Sequence, residues 1–229
     1  EQYSLYGEVS VPLLDGAFEL SLGGSYFEDE TSQTTDLSPM VPDPTNNTVD
    51  TEILSPQVSL AYHPSEKTTV YVRYAEGFRA ATIDFGVSTF FAQLVEPSIT
   101  GTVKPEKIDA FEVGFKGEFL DGRLSLESAV FRNEIDGLQQ SAAVIVPGSP
   151  VPGNTILNAG DGLSTGIEWK IDFFPSDNLE FGFSGSYVDA EIVDDFFAPG
   201  ADIATAVPLF AEGSSLSLVP KWLLNGTAA

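Results

Sequence analysis

The stretch that decides the fold is VKPEKIDAFEVGFKGEFLDGRLSLESAVFRNEIDG, residues 103–137. From Phe111 to Phe119 apolar side chains alternate with polar, charged or glycine positions, and the alternation resumes after Asp121-Gly122. Period-two alternation is typical of a strand with two unlike faces, and Asp-Gly favours a tight turn between two such strands. The stretch therefore predicts a β-hairpin, which could belong either to a soluble sheet or to a membrane barrel.

The same alternation recurs along the whole chain. It predicts nine strands, at residues 3–11, 17–28, 53–62, 68–79, 106–119, 123–136, 163–174, 179–191 and 217–226. Many of them have ten residues or more, whereas strands of soluble sheets mostly have about five or six. A tilted strand that crosses a bilayer needs about 9–11 residues. The strand lengths therefore favour a membrane barrel.

Short and long connections alternate between these strands. Tight turns are predicted at residues 12–16, 63–67, 120–122 and 175–178, and long loops at about 29–52, 80–104, 137–158 and 192–215. This alternation is the pattern of outer-membrane barrels, which have short periplasmic turns and long extracellular loops. We therefore predict an all-β fold, an antiparallel meander of about nine long strands with its four long loops on one side.

The alternation also assigns each side chain to a face. The set predicted to face outward, into lipid, is Phe18, Leu20, Leu22, Val70, Val72, Tyr74, Phe111, Val113, Phe115, Leu124, Leu126, Ile167, Trp169, Ile171, Leu179, Phe181 and Phe183. The opposite face carries Glu19, Ser21, Tyr71, Arg73, Glu112, Lys116, Ser125, Glu127, Glu168, Lys170, Asp172, Glu180, Ser184 and Ser186. Alternation alone fits a soluble sheet equally well, so the barrel prediction depends on strand length and on the unequal connections.

The charge of the chain excludes one class of partner. The formal net charge is −24, from 34 acidic and 10 basic residues. Binding to nucleic acid needs clustered lysines and arginines, so we expect no nucleic-acid partner. Acidic residues concentrate in the loops at 29–52 and 192–215, where they either are simply solvated or attract a cation, a cationic complex or divalent ions that bridge to lipid.

Residues for catalysis or metal binding are scarce. The chain has no cysteine, and its one histidine, His63, lies in a predicted turn. Asp194-Asp195 is a possible pair of ligands for a hard cation, but it falls far short of a calcium-loop pattern. We therefore predict neither an enzyme nor a cofactor nor a metal site.

The chain also lacks the usual segments of helical membrane or secreted proteins. No stretch approaches the roughly 20 apolar residues of a membrane-spanning helix. No signal peptide precedes the first predicted strand, which begins near Glu1. The sequence is thus expected to be a processed chain or an internal piece of a longer one.

Three blocks of the sequence, at residues 70–86, 103–139 and 157–192, resemble the C-terminal half of the barrel of TonB-dependent outer-membrane receptors. The residues that carry the resemblance are Tyr71, Tyr74, Gly77–Arg79, Pro105-Glu106, Glu112, Gly114, Lys116, Asp121–Leu124, Ile135, Leu138-Gln139, Asn158–Gly160 and Gly166–Glu168. The blocks follow one another in the order and spacing of the family and cover about half of the chain.

The resemblance implies a barrel of about 22 strands, so residues 1–229 would be one partial barrel domain without the plug domain and without the C-terminal strands. It implies an outer-membrane location and active uptake of a scarce small-molecule ligand, such as a ferric siderophore, a vitamin or an oligosaccharide. The implied partners are the TonB complex, engaged through the plug, and outer-membrane lipid. The alternatives are a passive porin-like barrel, and a soluble secreted β-rich protein that binds sugar or calcium or acts as a hydrolase.

Two aromatic pairs in the long loops are the candidate ligand contacts. Phenylalanine pairs are unusual in loops, since apolar surface in water is unfavourable by about 25 cal/mol per Å². They either pack against other loops or plug residues, or sit at the lipid interface as girdle aromatics, or form an apolar platform for a ligand that nearby acids steer by charge. The candidate ligand-binding residues are Phe90, Phe91, Phe196, Phe197, Asp194 and Asp195.

Overall fold

The computed structural model describes residues 1–38, 44–95, 99–144, 153–197 and 206–229. The elements in chain order are β1 (Gln2–Leu13), β2 (Phe18–Thr35), β3 (Thr45–Ser65), β4 (Thr68–Arg79), β5 (Thr82–Ile83), α1 (Val87–Val95), β6 (Thr102–Val103), β7 (Glu106–Phe119), β8 (Leu124–Asp136), β9 (Gln139–Val144), β10 (Gly153–Asn158), β11 (Gly162–Ser176), β12 (Leu179–Ile192) and β13 (Trp222–Ala228).

One antiparallel sheet of nine strands dominates the structure. Its order is β1-β2-β3-β4-β7-β8-β11-β12-β13, so every strand pairs with the next long strand in the chain. The prediction of a nine-stranded meander is therefore confirmed. Because each strand reverses direction, the four long connections all leave the sheet at the same end, which we call the loop end.

The structure differs from the prediction in each of the four long connections. Most of the predicted loop at 29–52 is strand, since β2 and β3 continue to pair up to Thr35 and Thr45. Threonine is frequent there, and β-branched residues suit a paired strand. The connections after β4 and β8 were predicted as plain loops, but they contain the hairpins β5-β6 and β9-β10 and the helix α1. The last strand begins at Trp222 rather than at residue 217.

Cross-strand partners place the predicted apolar set on one face of the sheet. A single row of paired residues runs across all nine strands: Val11, Leu20, Leu60, Val72, Val113, Val130, Ile167, Tyr187 and Trp222. We call the side of the sheet that carries this row the apolar face and the opposite side the polar face. Glu112, Lys116 and Glu168 lie on the polar face, as predicted.

The short turns show that the strands are tilted. On each strand that follows a short turn, the row residue lies a fixed number of positions after the first residue of the strand. This offset is two residues on β2, four on β4, six on β8 and eight on β12. The turns thus step by about one residue per strand. With about 3.3 Å per residue and about 4.8 Å between strands, this stagger corresponds to a tilt of about 35°, which is the tilt of strands in a closed barrel.

The apolar face has the height of a bilayer. On β7 the outward positions from Phe119 to Phe111 carry no charge, and the next outward residue is Asp109. Eight residues at that tilt rise about 22 Å, close to the lipid-facing band of about 25 Å in outer-membrane barrels. Tyr26 and Tyr74 stand at the upper edge of this band, where their hydroxyls donate hydrogen bonds to carboxylates such as Glu28 (3.0 Å).

Burial is concentrated at the loop end rather than between two layers. Buried apolar residues there include Phe85, Ala92, Ile99, Val103, Leu138, Ala142 and Ala159. The two faces of the long strands, by contrast, are half-buried or exposed over most of their length. Within the described ranges, α1 is the only helix, and it is too short to cross a membrane.

Candidate functional site

The first predicted phenylalanine pair lies on α1, the helix in the connection between β4 and β7. Phe90 and Phe91 are half-buried, and their ring centroids are 5.6 Å apart in an edge-to-face arrangement. Val87 and Leu94 share the same side of the helix, because residues spaced by three, four and seven positions fall on one stripe. Their exposed fractions are 48% and 65%, so α1 presents an apolar stripe away from its own packing contacts.

The other side of α1 is fixed against the hairpin β9-β10. Thr89 and Ala92 are buried, and Ala92 packs with Ile99 and Leu157. The Thr89 hydroxyl donates a hydrogen bond to the carbonyl of Asp84 (2.7 Å) and lies 3.1 Å from the hydroxyl of Thr155. The stripe is therefore held on a firmly packed helix.

The second predicted pair occupies a different setting, in the connection between β12 and β13. Phe196 pairs through its backbone with Phe210, and the two rings are 6.1 Å apart. Asp195 accepts a hydrogen bond from the backbone N–H of Glu212 (2.8 Å), while Asp194 is exposed. Phe196 and Asp195 thus make contacts that stabilise their own loop. Phe197, the next residue, is half-buried.

The structure does not bring the two phenylalanine pairs into contact. Among the described residues, the aromatic contacts of each pair stay within its own loop. The described ranges also contain no group of three or more histidine, cysteine or acidic residues that could hold a metal ion. His63 lies near a short turn, with its ring nitrogen Nδ1 3.0 Å from the hydroxyl of Thr69.

The polar face of the sheet carries a network of charged and hydroxyl groups. The Tyr71 hydroxyl donates to Glu112 (2.6 Å), and Lys116 forms an ion pair with Glu127 on the neighbouring strand (3.4 Å). Lys170, which is paired with Glu127 across β8 and β11, contacts Asp172 at 2.7 Å. A face with this charged and hydroxyl-rich character suits the wall of a water-filled or protein-filled interior.

Sequence reasoning missed two features of the loop end. The apolar stripe of α1 has the helical spacing of Val87, Phe90, Phe91 and Leu94, and this spacing was a signal that could have revealed it. The nearly complete burial of Glu106, which is 4% exposed, had no signal in the alternation, since its position at the start of β7 resembles any strand end.

The curated relatives that match part of the chain include two siderophore receptors. A probable TonB-dependent siderophore receptor, PiuA, from Acinetobacter baumannii is 24% identical over 165 residues, which are 72% of this chain and 21% of that protein. The ferric-pyoverdine 358 receptor from Pseudomonas putida is 28% identical over 140 residues, 59% of this chain and 15% of that protein. The chain therefore aligns with about a fifth of the length of the first relative and with less of the second.

Solved structures share the fold of the chain. The ferric yersiniabactin uptake receptor FyuA from Yersinia pestis superposes with a TM-score of 0.70 at 17% identity, over 99% of this chain and 30% of that one. The siderophore receptor PiuA from Acinetobacter baumannii gives a TM-score of 0.69 at 18% identity, with the same coverage of 99% and 30%. The nine strands thus correspond to part of a larger barrel.

The family profile described as "TonB dependent receptor-like, beta-barrel" matches residues 1–229, the full length of the sequence. The match includes the blocks that carried the resemblance, and the observed sheet has the tilt and apolar height of a barrel wall. The chain belongs to the family of TonB-dependent receptor-like β-barrels.

Proposed function

We propose that this chain forms part of the wall and of the extracellular loops of an outer-membrane receptor that takes up a ferric siderophore with energy supplied through TonB. The observation that carries the proposal is the family match over residues 1–229. It is supported by the names of the relatives, which are siderophore receptors, and by a sheet whose apolar face has the height of a bilayer.

In this proposal the domain is one partial barrel segment, and the plug through which TonB acts belongs to the rest of the receptor. The apolar face contacts outer-membrane lipid and the polar face lines the interior. The chain performs no bond chemistry: its part is to hold the loops at the outer surface and to provide a polar wall along the path of the ligand. A passive porin would need neither TonB nor the proton gradient.

The direct test is transport by the complete receptor that contains this chain. Cells that express it as the sole siderophore receptor are supplied with a panel of ⁵⁵Fe-labelled siderophores of catecholate, hydroxamate and mixed types. We expect saturable uptake of at least one of them, and we expect that uptake to stop when the proton gradient is collapsed or TonB is absent. Uptake that is unaffected by both treatments would support a passive barrel instead.

Within the site, we propose that the stripe on α1 contacts the ligand and that Asp194 and Asp195 steer the ligand by their charge. The exposure of the stripe and the firm packing of its helix support this role, whereas the ring of Phe196 packs on Phe210. Replacing Phe90 and Phe91 together with serine is expected to weaken binding of the transported siderophore at least tenfold. Leu14→Ser, which changes an exposed leucine at the opposite end of the sheet, is the matched control.

A further inference from the structure

Four polar residues that are distant in sequence meet where the long connections leave the sheet. Glu106, at the start of β7, is 4% exposed, and its Oε2 accepts a hydrogen bond from the backbone N–H of Gln139 at 2.6 Å. The guanidinium of Arg79, at the end of β4, lies 3.5 Å from the same oxygen and also donates to the carbonyl of Gln139 (3.4 Å). The fourth residue is Asn158, at the end of β10.

Gln139 and Asn158 close the bases of two connections at once. We call the described residues 80–95 and 99–105 loop A, and the described residues 137–144 and 153–161 loop B. The Gln139 side-chain amide donates to the carbonyls of Ala80 (3.0 Å) and Lys104 (2.9 Å), which are the two ends of loop A. Asn158 accepts from the backbone N–H of Lys104 (2.8 Å) and donates to the carbonyl of Gly137 (2.7 Å), so it joins loop A to the start of loop B.

The two loops remain joined further from the sheet. The carboxylate of Asp84 in loop A accepts a hydrogen bond from the backbone N–H of Ile156 in loop B at 2.6 Å. Next to it, the hydroxyls of Thr89 on α1 and Thr155 on β10 are 3.1 Å apart, and both residues are 1% exposed. A row of polar contacts therefore runs from the base of both loops up to α1, and it is buried at Glu106, Thr89 and Thr155.

Loop A is also attached to the long hairpin of β2 and β3. The backbone N–H of Ala81 donates to the buried hydroxyl of Thr51 on β3 (2.9 Å). The carbonyl of Phe85 accepts hydrogen bonds from the side chains of Gln33 and Thr35 on β2, each at 3.2 Å. Loop A thus lies between the hairpin and loop B, and it is bonded to both.

We propose that loop A, loop B and the outer part of the β2-β3 hairpin form a single cooperative unit, so that α1 is fixed in position before any ligand binds. Several of the residues that make these contacts are buried, namely Thr51, Thr89, Glu106, Gln139 and Thr155, and a buried polar group left without its partner is unfavourable. Separating the loops would break the hydrogen bonds of Glu106, Asp84 and the Gln139 amide at the same time. Opening of one loop therefore requires opening of the other, and the inference holds whichever ligand the receptor takes.

The test is backbone hydrogen exchange, measured by mass spectrometry on the complete receptor in detergent micelles without ligand. Glu106→Ala removes the carboxylate that binds loop B. We expect exchange to become about tenfold faster in peptides from both loop A, near Asp84, and loop B, near Ile156, because the two open together. Glu134→Ala is the control, since this exposed carboxylate on β8 contacts Arg132 and lies outside the unit.

Faster exchange in loop B alone, with loop A unchanged, would overturn the proposal. If Glu106→Ala prevents insertion into the membrane, Asp84→Ala gives the same comparison from the other end of the contact row. A second measurement uses Thr89→Cys with Thr155→Cys: the oxidised pair is expected to restore slow exchange throughout both loops of the Asp84→Ala variant. Slowing confined to the residues beside the cross-link would contradict a cooperative unit.

Discussion

The ring of Tyr71 on β4 lies across Gly114, its cross-strand partner on β7. A methyl group at Gly114 would overlap the ring, so the absence of a side chain there creates the space that the tyrosine fills. In this position the Tyr71 hydroxyl reaches Glu112, to which it donates a hydrogen bond of 2.6 Å. Phe131 on β8 lies over Gly166, its partner on β11, and repeats the arrangement on the polar face.

Gly114→Ala should destabilise the barrel by about 1–3 kcal/mol, since the added methyl group must displace the ring of Tyr71 from a packed position. The hydrogen bond to Glu112 would be lost with it. The complete receptor is heated in steps and run on SDS gels, where the folded and unfolded forms differ in mobility. We expect the variant to change to the unfolded mobility at a lower temperature than the wild type. Gly77→Ala on β4 is the control, because nothing lies within 4 Å of a methyl group at that position. Equal effects of the two changes would argue against the ring's role.

Phe115→Arg should hinder insertion of the receptor into the membrane. Phe115 is on the apolar face, about halfway up the band, and an arginine facing lipid at the bilayer midplane costs about 2–4 kcal/mol. Folding into lipid vesicles, followed by resistance to protease, measures the effect. Glu168→Ala on the polar face is expected to leave folding nearly unchanged. A Phe115→Arg protein that folds like the wild type would place this face away from lipid.

Phe196→Ser should loosen the connection between β12 and β13, because the ring of Phe196 packs on Phe210 and their backbones are paired. We expect faster cleavage of this connection by protease on intact cells, and the same result for Phe210→Ser. Phe90→Ser, on α1, should leave the cleavage rate of this connection unchanged. If Phe196→Ser abolishes ligand binding without any change in cleavage, Phe196 is a direct ligand contact instead.

The isolated 229-residue chain should aggregate in water or require detergent. In the sheet, β1 pairs with β2 alone and β13 with β12 alone, so two long edges present backbone groups to further strands. Unpaired strand edges and an apolar face both promote association. Analytical ultracentrifugation with and without detergent measures this. A monodisperse monomer in plain buffer that melts cooperatively would contradict the expectation.

Alternation was sufficient to predict the nine strands and the two faces, because each strand of a barrel wall separates lipid from a polar interior. The row from Val11 to Trp222 shows how regular that signal is. The contents of loops A and B were not predictable in the same way. Their hairpins are short, and α1 is stabilised mainly by the burial of Thr89 and Ala92 against β10 rather than by its own sequence.

The candidate site was predictable only in part. The phenylalanine pairs were identifiable as unusual loop residues, but the packing of Phe196 on Phe210 depends on the path of the chain after β12. The motif residues Glu106, Gln139 and Asn158 were visible through the family resemblance, yet their role was not. It arises from contacts between residues that are distant in sequence, 33 residues for Glu106 and Gln139 and 54 for Lys104 and Asn158, which periodicity along the chain does not report.

The most direct test of the account is a spin-label scan of β7 in the complete receptor reconstituted into lipid bilayers. Labels are placed one at a time from Phe111 to Phe119, and their collision rates with oxygen and with a water-soluble nickel chelate are compared. We expect a period of two, with oxygen accessibility highest at Phe111, Val113 and Phe115 and lowest at the positions between them. A lipid-facing wall would be contradicted if labels at these three positions collide with the nickel chelate as often as a label in bulk water does. It would also be contradicted if they are shielded from both reagents.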